Sequence, residues 1–127
     1  MCRFAYTLRT FAEQDKLYNA KPQVTKAKGG QSYHNYGLAI DIVLIVDKDG
    51  NGSFETASWD VKSDFDGDNQ SDWMEVVAIF KRYGWEWGGD WKFYDAPHFQ
   101  KTFGKSVNEL LAIHNSMTDK RNYVNIA

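Results

Sequence analysis

Cysteine is nearly absent from this chain: Cys2 is the only one in 127 residues. A lone thiol closes no intrachain disulfide and builds no cysteine-based metal site, so folding does not depend on an oxidising compartment. Long apolar runs are missing too. The longest, Ile42 to Val46, is strand-sized, far short of the roughly 18–20 residues of a membrane helix, so no membrane span is expected. Charge of one sign does not dominate either. Lys and Arg number 15 against 17 Asp and Glu, a formal net charge of −2, which gives no electrostatic case for nucleic acid or an anionic membrane as partner. No basic segment followed by an apolar one opens the chain, so no signal peptide is expected in the chain as it stands.

What is present suffices for one core. Apolar residues make up 43% and aromatics 16%, and the length suits a single domain over 1–127. Phe4 to Leu8 reads as a short strand. Thr10 with Glu13 forms a capping-box pattern for a helix to about Asn19. Lys21 to Gln31 carries Pro22, Gly29 and Gly30 and reads as a loop. Gly37 to Val46 is the best strand. Asp47 to Gln70 reads as a polar insertion. Ser71 to Tyr83 reads as an amphipathic helix, because Trp73, Val76, Val77 and Phe80 share one face; Lys81 and Arg82 suit its last turn and Gly84 its C′ position. Trp85–Trp87 and His98–Gln100 read as short strands around a Gly88-Gly89 turn. Ser106 with Glu109 opens a last helix, and the tail after Ser116 is expected to be loosely held. The expected fold class is α+β: a small, mostly antiparallel sheet flanked by helices.

Two of the three histidines lie in motifs that read together as a single-zinc hydrolase site. The first motif is Ser32-Tyr-His34-Asn-Tyr-Gly37-Leu-Ala39-Ile-Asp41; the second is Asp95-Ala-Pro97-His98. His34, Asp41 and His98 supply two imidazoles and one carboxylate, a ligand count that leaves a tetrahedral zinc open to water. An aspartate among the apolar residues of a strand needs a partner, and a metal is one. Asp95, three residues before His98, is a spare carboxylate suited to general-base work. Read alone, each histidine is an ordinary hydrogen-bonded one; the joint pattern favours the metal. Among Trp85, Trp87, Trp91, Phe93 and Tyr94, some are core and Trp91 is a candidate for lining a substrate groove.

These motifs carry a family resemblance. The chain resembles the zinc peptidases that comprise the D-alanyl-D-alanine carboxypeptidases and L-alanyl-D-glutamate endopeptidases of bacteria and their phages. Ser32, His34, Gly37, Ala39 and Asp41 match one family motif, Asp95 and His98 a second, and Arg9, Thr10, Gln14, Leu17 and Tyr18 a third. The resemblance runs from about residue 6 to 103. It implies a zinc cofactor on His34, Asp41 and His98, and Asp95 as the base. It gives Arg9 the developing oxyanion or the substrate, a task that suits a fixed guanidinium. Ser32 would hydrogen-bond substrate or orient a ligand. The implied reaction is hydrolysis of a peptide bond in peptidoglycan stem peptides at the bacterial cell wall. The short loops around Gly88-Gly89 and the small number of cations near the motifs favour an L-alanyl-D-glutamate endopeptidase; the alternative is a D-alanyl-D-alanine carboxypeptidase, which must capture a free carboxylate. Secreted, periplasmic and phage-delivered sources all fit, and no oligomeric state is implied.

The chain departs from that family in two places. The family's helix ahead of the arginine segment is lacking, the pattern of an N-terminally truncated chain or a late start. The polar insertion holds Asp47-Lys-Asp49-Gly-Asn51 and Asp64-Phe-Asp66-Gly-Asp68, the latter leading to Glu75. Asp64, Asp66, Asp68 and Glu75 have the spacing of calcium-loop ligands, although Asn69 stands where glycine is expected. Two solvated acidic turns are the other reading. Two rival functions follow: a non-catalytic cell-wall-binding module that keeps the zinc fold, and a calcium-binding module built on the insertion. The retained acid Asp95 argues against the first, because a structural zinc has no use for it.

Overall fold

The computed structural model describes residues 1–126. They form two compact units, Met1–Tyr6 with Ile40–Gln100, and Thr7–Ala39 with the chain from Lys101 onward. No described helix is long and apolar enough to cross a membrane.

The first unit is built on a five-stranded sheet. Its strands are β1 (Cys2–Tyr6), β2 (Ala39–Val46), β3 (Thr56–Ser58), β4 (Glu86–Trp87) and β5 (His98–Gln100), in the order β1-β2-β5-β4 with β3 on the C-terminal end of β2. The β1–β2, β2–β3 and β4–β5 pairs are antiparallel, in line with the expected α+β class. β2 is long because Ile, Leu and Val fill it; their branched side chains suit a pleated surface covered on one face. Ile42, Leu44 and Val46 alternate onto the core face.

Helix α2 (Asp72–Arg82) covers that face. Ser71 caps it through a bond from the Met74 N–H, and Lys81 and Arg82 close its last turn. Gly84 follows with a positive φ of 85°. Trp73 and Val77 are buried in one cluster with Ile42, Leu44, Trp87 and Phe99, and Val76 and Phe80 pack against it. Phe80 stacks on Phe99 at 4.3 Å. Burial of each such side chain contributes about 1.5–3 kcal/mol. The expected helix face is the observed one. The insertion is less uniform than expected: it contributes β3, and Val61 and Phe65 pack against the core.

The second unit holds α1 (Phe11–Asn19), a 3-10 turn over Tyr33–Tyr36, and α3 (Val107–Ser116). Capping boxes at Thr10/Glu13 and Ser106/Glu109 start the two helices. Buried Asn35 ties the loops together: its Oδ1 accepts from the Gly30 and Ser32 N–H groups, and its Nδ2 donates to the Arg9 carbonyl. The Tyr36 hydroxyl donates to the Gly30 carbonyl at 2.6 Å, and burial pushes its pKa up to about 12. Gly30 is obligatory there, since its φ is +86° and a Cβ would lie 2.8 Å from Leu111. The tail after Ser116 is anchored, contrary to expectation. Lys120 Nζ donates to the carbonyls of His114, Asn115 and Met117, neutralising the exposed end of α3.

Candidate active site

Asp41 is the third residue of β2 and faces His98, the first residue of β5. Asp41 Oδ1 lies 3.1 Å from His98 Nδ1, with side-chain exposures of 20% and 10%. The other ring nitrogen, Nε2, lies 2.9 Å from Gln100 Oε1, and Gln100 Nε2 donates to Glu86 Oε2 at 3.1 Å. Burial alone would lower the His98 pKa. The hydrogen bonds to Asp41 and Gln100, with the negative charges of Asp41 and Asp95, outweigh it and hold the pKa above the ordinary imidazole value.

Asp95 is positioned by backbone. Its N–H donates to the Gly88 carbonyl at 3.0 Å, and its own carbonyl accepts from the His98 N–H at 3.1 Å. Its carboxylate is 53% exposed and reaches to 4.0 Å from His98 Nδ1. Gly88 has to be glycine, because a Cβ there would sit 2.3 Å from the Asp95 carbonyl oxygen. The Trp91 ring lies 5.2 Å from the His98 ring, where it shields one side of the imidazole. Trp87 is core instead, buried with its indole N–H donating to the Ala96 carbonyl. Asp90 is paired with Lys81 at 2.6 Å.

In the second unit, His34 sits within the 3-10 turn and is buried. Its Nδ1 lies 2.8 Å from the Thr7 carbonyl. A carbonyl only accepts, so Nδ1 carries the proton and Nε2 keeps its lone pair for a metal. Ser32 Oγ accepts from the His34 N–H at 3.3 Å and caps the 3-10 turn. Arg9 Nη1 donates to the buried Gln14 Oε1 at 3.0 Å. Arg9 also lines a cavity of about 540 Å³ with Phe11, Tyr36, His114 and Tyr123.

Asp41 and His98 stand in the first unit and His34 in the second. The donor chemistry fits a divalent cation. Two groups that face each other as His98 Nδ1 and Asp41 Oδ1 do need a proton or a metal between them, and two imidazoles with one carboxylate are a catalytic zinc's ligand set.

The acidic residues of the insertion form two overlapping groups, Asp64/Asp66/Asp72 and Asp66/Asp68/Glu75. Asp64 is already satisfied by N–H groups: Oδ1 accepts from Gly67 and Oδ2 from Asn69. Asn69 meets the conformational demand expected of glycine, with a φ of 70°. Asp64, Asp66 and Asp68 are exposed and Asp72 and Glu75 half-buried; exposed acidic groups are common without an ion, and no finding supports calcium.

Sequence reasoning missed Gln100 and the contact it makes with Glu86. A signal existed for the first: His98 and Gln100 are two apart on a strand and share a face.

The family described as D-alanyl-D-alanine carboxypeptidase matches residues 25–101. The chain is 50% identical over 98 residues to a peptidoglycan L-alanyl-D-glutamate endopeptidase of Bacillus subtilis, covering 72% of this chain and 55% of the relative. It is 32% identical over 111 residues to an L-alanyl-D-glutamate peptidase of a Listeria phage, covering 80% of this chain and 34% of the relative. It therefore spans about half of the first relative and a third of the second. The crystal structure of a Serratia marcescens L-Ala D-Glu endopeptidase aligns with a TM-score of 0.54 at 27% identity, over 80% of this chain and 67% of that one.

Proposed function

The chain belongs to the D-alanyl-D-alanine carboxypeptidase family of peptidases, and on that premise we propose that it is a zinc-dependent endopeptidase that hydrolyses the L-alanyl-D-glutamate bond of peptidoglycan stem peptides. The observation that carries the reading is the facing pair of Asp41 and His98 with Asp95 beside it as an additional carboxylate, to which the motif that holds Asp41 adds His34. The names of both curated relatives favour the L-alanyl-D-glutamate bond over the D-alanyl-D-alanine bond. The two units are taken as one peptidase domain over 1–127, because the family match runs through both.

His34 through Nε2, Asp41 through its carboxylate and His98 through Nδ1 would hold the zinc. Zinc bound there supplies Lewis acidity, lowering the pKa of water to about 7 and polarising the scissile carbonyl. Asp95 accepts the proton released as water adds to the carbonyl carbon. It then delivers that proton to the leaving amine as the C–N bond breaks. Arg9 donates hydrogen bonds to the oxyanion or the substrate, with Gln14 holding its guanidinium. Trp91 lines the groove beside His98. Calcium has no part in this chemistry.

Digestion of purified peptidoglycan tests the proposal. New free D-glutamyl amino groups should appear, and chelation should abolish them. Free D-alanine as the main product would instead select the carboxypeptidase reading. No new termini at all, with zinc bound, would point to the non-catalytic wall-binding module.

A further inference from the structure

The contact from Glu86 through Gln100 to His98 has a direction. A carboxylate accepts hydrogen bonds and donates none. Glu86 Oε2 lies 3.1 Å from the Gln100 amide, so that end of the amide must be the NH2 group. The amide's other end, Oε1, then points at His98 Nε2, 2.9 Å away. An amide oxygen only accepts, so His98 Nε2 must carry a proton. Asp41 Oδ1, which faces Nδ1, also only accepts, so a proton or a cation must stand at Nδ1; with Nε2 keeping its proton, the neutral ring offers Nδ1 to the cation.

Strand pairing builds the relay. Glu86 and Gln100 are direct cross-strand partners in the β4–β5 register, and Gln100 and His98 share a face of β5. Gln100 is 9% exposed and His98 8%, so water competes poorly for the bond between them. A chance surface contact would lack both the burial and the matched polarity.

We propose that Gln100 and Glu86 are positioning residues that fix the His98 tautomer, presenting Nδ1 as the metal-binding nitrogen. The inference rests on the zinc reading above. It assigns Glu86 a role distinct from that of a catalytic base. The partners that hold a ligand imidazole typically change metal affinity 10–100-fold when removed.

The test is zinc affinity by chelator competition, with the melting temperature of each zinc-free variant as a folding control. Gln100→Leu should weaken zinc binding about 10–100-fold. Glu86→Gln, at an exposed position that tolerates change, should weaken it less, because an amide at 86 no longer dictates which way Gln100 turns. The double variant Glu86→Gln/Gln100→Glu exchanges amide and carboxylate. It restores an acceptor opposite His98 Nε2 and a donor opposite that acceptor, so affinity should recover above both single variants. Nitrogen-15 spectra of the zinc-loaded wild type should show the His98 proton on Nε2 and no proton on Nδ1. Wild-type affinity in Gln100→Leu, no recovery in the exchange variant, or a zinc-loaded His98 with its proton on Nδ1 would each overturn the relay. Failure of the wild-type chain to bind zinc would overturn the underlying site instead.

Discussion

Asp95→Asn replaces one carboxylate oxygen by an amide group and leaves the shape of the side chain almost unchanged. The structure says what else should stay the same. Asp95 is held by its backbone, through the Gly88 carbonyl and the His98 N–H, and neither bond involves the carboxylate. The side chain is 53% exposed and stands 4.0 Å from His98 Nδ1, too far for a hydrogen bond. An isosteric change at a side chain this exposed should move folding stability by no more than about 0.5 kcal/mol, as for most surface changes, and zinc should stay at one per chain. The rate is another matter, since an amide cannot take a proton from water. Loss of a general base costs about 10²–10⁴-fold, or roughly 2.7–5.4 kcal/mol of barrier. The assay is kcat on a synthetic L-alanyl-D-glutamate peptide, run beside metal analysis of the same preparation. A kcat within a few-fold of wild type would remove Asp95 from the proton transfer. Loss of zinc would show that Asp95 acts as a ligand, and the division of roles drawn here would fail.

Three further outcomes are expected. Gly88→Ala forces a Cβ to within 2.3 Å of the Asp95 carbonyl oxygen; it should cost about 1–3 kcal/mol in urea unfolding and lower kcat, and an unchanged kcat would show that the Gly88 contact does not set Asp95. His98 has a raised pKa, so in zinc-free protein its protonated pairing with Asp41 stabilises fully below the ordinary imidazole pKa of about 6.5 and fades as pH climbs through the folded value. Zinc needs the neutral ring, so zinc affinity should show the opposite trend, weakening as pH falls through that value; melting curves with zinc and with chelator across pH 6–8 should slope in opposite directions, and parallel slopes would argue against competition at Nδ1. Glu75 is pushed up by desolvation and by the charges of Asp68 and Asp66, so these acids repel one another once ionised; Glu75→Gln should raise the melting temperature at neutral pH and low salt, and the gain should shrink with added salt. Millimolar calcium that raises the wild-type melting temperature but not that of an Asp66→Ala, Asp68→Ala variant would revive the calcium loop.

The parts legible in the sequence were the ones governed by local rules. Thr10 with Glu13 and Ser106 with Glu109 mark two helix starts because capping needs only a hydroxyl and nearby N–H groups. The face of α2 was legible because its apolar spacing has one period. β3 was not, since three residues, Thr56–Ser58, carry too little alternation to stand out in a polar stretch. The anchored tail escaped notice for another reason. Lys120 is polar, and only its position past the end of α3 turns it into a cap.

At the site, the sequence supplied residue identities and the fold supplied directions. His34, Asp41, Asp95 and His98 could be named from their motifs, but which nitrogen of each histidine faces a metal could not. That choice depends on acceptors that the fold orients: the Thr7 carbonyl for His34, 27 residues away, and for His98 the Gln100 amide, two residues away. The Glu86 contact that orients Gln100 spans 14 residues and exists only in one strand register. The first motif can now be read as backbone instruction as much as chemistry. Gly37 takes a φ of 71° to end the 3-10 turn that carries His34, a conformation that β-carbons resist. Ala39 is 1% exposed and must be small. Asp41 follows two residues later on the same face of β2. The remaining positions of the motif are thus those that shape the backbone on which the proposed ligands stand, and a bulky residue at 37 or 39 would keep both donors while disturbing the turn that carries His34 or the strand that carries Asp41.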